Sequence, residues 1–102
     1  MNDAAVEAEI QAKGLTAARV TPERIDSRIA SEHYHVFPGT TTTICCLVLV
    51  NGFTVIGHSA CASPENFNEE LGRSIARRNA AQEIWALEGY LLRQELYGGD
   101  NP

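Results

Sequence analysis

The chain has 102 residues, enough for one domain with a modest core. Hydrophobic residues make up 44% of it and charged residues 21%, a balance that excludes a charge-rich disordered chain. The formal net charge of −5 argues against broad nucleic-acid binding, which draws on clustered Lys and Arg.

The first element in chain order is an N-terminal arm, residues 1–19, whose segment DAAVEAEIQAK favours helix. Its large apolar residues are Val6 and Ile10, so its stripe is narrow, and Gly14 can close it. This acidic start lacks the basic and apolar regions of a secretory leader. A single α+β domain is expected over 20–97. Thr21 can cap a second helix, with Pro22 at its first position and Glu23 at the positive end of the dipole. Ile25 and Ile29 mark its buried face, and its end is expected near Glu32. Pro38-Gly39 then reads as a turn.

An antiparallel hairpin follows, with strands at about 41–50 and 53–60 around Asn51-Gly52. A two-residue turn there would set Leu47 opposite Ile56 and Cys45 opposite His58. Val48 would face Val55 on the other side. Both sides are then apolar, and a strand of that kind is covered on both faces. Ser63-Pro64-Glu65 repeats the helix-start pattern. A long C-terminal helix is expected over about 64–96, and Gly89 is a point where it can break. Residues 98–102 read as a frayed tail. The longest apolar run, residues 44–57, falls short of the ~20 residues a membrane helix needs.

Two short helices with narrow stripes cannot hide the second face of such a hairpin, and a two-stranded ribbon alone is marginal in water. A homo-oligomer is therefore expected, a two-fold dimer being simplest, with Leu47, Leu49, Ile56 and Trp85 as interface residues.

The segment YHVFPGTTTTICCLVLVNGFTVIGHSACASPENFNEELGRSIARRNAAQEIWALEGYLL resembles the gene-product-49/gene-66 family of short tailed-bacteriophage and prophage proteins. The likeness runs over roughly residues 20–96. YHVFPGT, the SACASPENF stretch and IWALEGYLL are specific in combination. The resemblance implies a phage origin, a place in the cytoplasm of the infected bacterium and expression as an accessory gene. It implies no activity, catalytic residue or cofactor.

Three constellations bear on chemistry. The first is a polar corner at the open end of the hairpin, where His35, Thr40, Thr41, Thr42, Thr43, Ser59, Ser63 and Asn66 gather beside a helix start. With Arg73 and Arg77 from a mate it would take a small anionic, nucleotide-like ligand. Turn and capping chemistry is the structural alternative. The second is a weak metal set, His33, His35, Cys45 and His58, which lacks the paired spacing of structural zinc sites. The third is a thiol nucleophile, Cys45 or Cys61, with His58 as base, and no elbow motif supports it. Three cysteines, two of them adjacent, make no disulfide framework and read as reduced thiols. Arg73, Arg77 and Arg78 are balanced by Glu65, Glu69 and Glu70, so a solvated face is expected rather than a nucleic-acid surface. Trp85, Tyr90 and Tyr34 read as packing residues before ligand-stacking ones.

The function expected from these features is non-catalytic. The chain reads as a homo-oligomeric phage accessory protein that counteracts a host process or defence by sequestering a small nucleotide-like signal at subunit interfaces. It needs no cofactor and no membrane. A protein inhibitor of a host enzyme is the first alternative. A small thiol- or zinc-dependent enzyme is the second.

Overall fold

The computed structural model describes residues 3–15 and 17–98. In chain order the elements are α1 (Asp3–Ala12), α2 (Pro22–Ser27), β1 (Ile29–Val36), β2 (Thr43–Leu49), β3 (Thr54–Ser59), a 3-10 turn (Pro64–Asn66) and α3 (Glu69–Gly98). The class is α+β, with short N-terminal helices, an antiparallel hairpin and a long C-terminal helix, as the sequence suggested. The strands form one antiparallel sheet in the order β1-β2-β3. α3 crosses one face of it, α2 packs on α3 and β1, and α1 packs on α2. The tail expected at 98–102 lies, after Gly98, outside the described residues.

β1 has no counterpart among the elements expected from the sequence. α2 does not reach Glu32. Thr21 Oγ1 accepts from the Arg24 amide at 3.2 Å to start it, and Arg28 closes it after Ser27. Residues 29–36 then become an edge strand. Its inner positions are Ile29, Glu32, Tyr34 and Val36, and the register shift between Ile29 and Ser31 together with the charge at Glu32 hides the period of two. Glu32 is tolerated there because its carboxylate accepts from Arg77 Nε of α3 at 2.9 Å and from the Tyr34 hydroxyl at 2.8 Å.

The hairpin turn also differs. Three residues, Val50, Asn51 and Gly52, make it. The Gly52 amide donates to the Leu49 carbonyl at 2.9 Å and the Leu49 amide to the Phe53 carbonyl at 2.8 Å. Gly52 sits at φ 90°, the left-handed position that closes a three-residue loop built on a type I turn. The register is therefore displaced by one residue from the expected one. Leu47 faces Val55, Cys45 faces Gly57, and Ile44 faces His58. Because side chains alternate, this slip places Val55, Gly57 and Ser59 beneath α3 and turns Thr54, Ile56 and His58 outward.

The core lies between sheet and helix. Ala76, Ala80 and Ile84, spaced four apart on α3, are fully buried against Cys45 and Leu47, with Leu49, Val55 and Ile25 around them. The approach is close. A Cβ on Gly57 would fall 2.1 Å from the Ala80 nitrogen and 2.4 Å from the Ala76 oxygen. The same helical row continues to Glu88, whose carboxylate accepts from Arg24 Nε at 2.7 Å and Arg28 Nε at 3.0 Å, tying α2 to α3. α3 starts later than expected. Ser63 makes no side-chain cap, and Asn68 Oδ1 instead accepts from the Leu71 amide at 2.9 Å. The helix passes through Gly89 unbroken. At ~1.5 Å per residue its 30 residues run about 45 Å. Its last turns extend past the sheet, and the described residues span 54 Å in their longest direction.

Candidate functional site

The polar corner forms in part. Thr41, Ser59 and Asn66 line a small cleft of about 70 Å³ with Cys61, Phe67 and Leu71. Its hydroxyl hydrogens are already engaged. Thr41 Oγ1 donates to the Cys61 carbonyl at 2.6 Å and Ser59 Oγ to the Gly72 carbonyl at 2.7 Å. Each hydroxyl has one hydrogen, so what it turns to the cleft is lone pairs, which do not attract an anion. Thr40 belongs to the β1–β2 turn. Its Oγ1 donates to the Phe37 carbonyl at 2.8 Å and accepts from the Thr42 amide at 3.2 Å. The Ser63 carbonyl accepts from the Asn66 amide at 3.0 Å and from Cys61 Sγ at 3.2 Å. Within one chain, this corner is turn and capping chemistry.

Several residues assigned to the corner lie elsewhere. Thr43 is fully buried under Gly72, with no hydrogen-bond partner for its Oγ1, so it lines no open pocket. His35 stands on the outer face of the sheet, its ring edge-on to Phe37 at 4.8 Å. Arg73 and Arg77 point toward β1, the sheet edge opposite Ser59. Arg73 pairs with Glu69 at 2.7 Å and lies over the Tyr34 ring at 5.8 Å, while Arg77 pairs with Glu32.

The weak metal set is split by the sheet. His33, His35 and His58 face outward, whereas Cys45 is fully buried on the helix side. Among the described residues, no three His, Cys, Asp or Glu side chains converge as a metal site. The one-residue register slip likewise parts Cys45 from His58, the base a nucleophile would need. Burial pushes the Cys45 thiol pKa up and the Glu32 charge adds to this, with the Tyr34 hydroxyl working against them. A raised pKa is the reverse of thiolate activation. Burial, then its bond to Glu32, also raises the Tyr34 hydroxyl well above the ordinary tyrosine value.

The Arg24–Glu88–Arg28 clamp was not anticipated from sequence. The available signal was a carboxylate falling on the row of Ala76, Ala80 and Ile84, where an apolar residue belongs. Burial favours the neutral form of Glu88, but the two guanidinium hydrogen bonds outweigh it, and the pKa lies below the ordinary carboxylate value.

What the fold leaves open is the outer face of the sheet. Its centre is Ile44, Cys46 and Val48 from β2, half-buried, and Ile56 from β3, 59% exposed. Of the residues assigned to an interface, Ile56 is on this face and Trp85 is half-buried on α3. Leu47 and Leu49 are corrected: the register of β2 sends both under α3 into the chain's own core. A second uncovered surface is the projecting end of α3, where Tyr90 is 74% and Tyr97 70% exposed.

The chain matches the Phage protein (N4 Gp49/phage Sf6 gene 66) family over residues 20–96, and it belongs to that family. The match starts just before the α2 cap and takes in the whole sheet and nearly all of α3, leaving α1 outside. No curated protein and no solved structure matches the chain. Among the described residues no helix is long and apolar enough to cross a membrane.

Proposed function

We propose that the chain is a non-catalytic accessory binding protein of its phage that acts in the cytoplasm of the infected host. It assembles with copies of itself and sequesters a small nucleotide-like signal of the host where subunits meet. One observation carries the reading: the outer sheet face is apolar at its centre, and no described element packs over it. Contiguous apolar patches of this kind mark interaction surfaces. Arg78 and Arg93, both on α3 and so on the far side of the sheet from its open face, have no ionic partner among the described residues and are the cations available to an anionic ligand where α3 meets a mate.

Native mass spectrometry of protein isolated from infected cells tests this. The expected spectrum is an oligomer carrying an additional small-molecule mass, which Arg78→Ala removes. An oligomer free of any small molecule would contradict sequestration. It would favour the second reading, an inhibitor that docks on a host enzyme, for which the exposed Tyr90 and Tyr97 are suited, since tyrosine is enriched at protein interfaces.

A further inference from the structure

We infer that the open sheet face is where a second copy docks, sheet against sheet, and that its histidines make this contact separate on acidification. The inference rests on the oligomeric reading above and adds the surface and its control.

From β1 the face takes Ser31, His33 and His35, and from β3 it takes Thr54 and His58, around the apolar centre already described. None of these positions is Asp, Glu, Lys or Arg, in a chain that is 21% charged with a net charge of −5. Two copies of an acidic protein repel each other wherever carboxylates meet. This face can oppose its own image without setting like charges together, which is what a two-fold contact requires. Its apolar row, Ile44, Cys46, Val48 and Ile56, suits the ~10 Å stacking of two sheets. A basic partner, by contrast, would find no carboxylate here to pair with.

Control follows from composition. All three histidines of the chain are on this one face. His33 lies opposite Cys46, and His35 and His58 flank Ile44 on either side. Histidine is the side chain that takes up a proton between about pH 8 and pH 5. A two-fold contact then opposes two sets of three new positive charges. Their surroundings offer no compensation. His33 Nε2 is 3.0 Å from Ser31 Oγ, and His35 meets the Phe37 ring. Cys46 is the remaining titratable group of the face, because Glu32, Tyr34 and Cys45 alternate to the helix side, where Arg73 and Arg77 also point.

The test is light scattering coupled to size exclusion at about pH 8 and about pH 5.5, on the whole chain. Wild type is expected as an oligomer at the higher pH, with at least tenfold weaker association at the lower. Ile56→Glu and, independently, Thr54→Lys are expected to be monomeric at the higher pH with unchanged circular dichroism, since both positions are exposed. A variant with all three histidines changed to Gln is expected to stay associated at both. Association unaltered in both Ile56→Glu and Thr54→Lys overturns the assigned surface. A pH response persisting without the histidines overturns the control. A wild type that is monomeric at the higher pH removes the oligomeric reading itself, a result distinct from either.

Discussion

Gly57 is the point at which the sheet and α3 touch. With the nearest helix backbone atom only 2.1 Å from where a Cβ would sit, Gly57→Ala forces strand and helix apart rather than displacing a flexible side chain. Overpacking of this kind is expected to lower stability by about 3 kcal/mol, read as a fall in the urea midpoint at unchanged slope. Glu88 is the second decisive residue. Its carboxyl is held below the ordinary value of 4.5, so the stability it contributes is complete above that pH and is lost as the pH falls through the folded-state value. Glu32, held low by the Arg77 hydrogen bond and then by Tyr34, acts in the same direction. Glu88→Gln is expected to cost about 1–3 kcal/mol near neutral pH, because two guanidinium groups lose their anion. Thermal melts across pH are expected to show wild type losing stability below about pH 4.5 and Glu88→Gln losing less.

At the scale of elements, the two long-range decisions were made by single residues. The long C-terminal helix was legible from its composition and spacing, but which of its rows is buried, Ala76-Ala80-Ile84, emerges only in the structure, where Leu71, Leu87 and Leu91 are exposed. The hairpin was legible from Asn51-Gly52 between apolar runs. Its register was not. The same pair of residues serves a two-residue turn or a type I turn closed by a left-handed glycine, and the choice depends on which strand face the helix must meet. The identity of β1 was hidden for another reason, since Glu32 occupies an inner position whose partner, Arg77, is 45 residues away. The candidate site suffered most from the register. One residue of slip moved His58 to the face opposite Cys45 and parted Ile56 from Leu47, while α3 packs on the β2 face that carries Leu47 and Leu49. The helical glycines give a further contrast. Gly72 packs against Thr43, whereas a Cβ on Gly89 would meet nothing within 4 Å. Gly89→Ala is therefore expected to raise stability by about 0.5–1 kcal/mol, checked by thermal unfolding. A fall would mean that a subunit neighbour lies against that position in the assembly.

At the scale of the molecule, three strands covered on one side by a single long helix make a two-layer arrangement whose outer sheet face is covered by no described element. The helices gather on the α3 side, and the projecting end of α3 adds exposed tyrosines beyond the sheet. The outer face is apolar at its centre and uncharged throughout, so its association should depend little on salt, unlike contacts between charged surfaces. Raising salt from about 0.1 M to about 1 M near pH 8 is expected to leave the oligomer intact, as read by size exclusion. Sedimentation velocity of the wild-type chain at micromolar concentration, near pH 8, bears most directly on whether the chain completes its fold with copies of itself. The account predicts a species of at least twice the chain mass of 11.1 kDa. A compact, folded species of single-chain mass would contradict it.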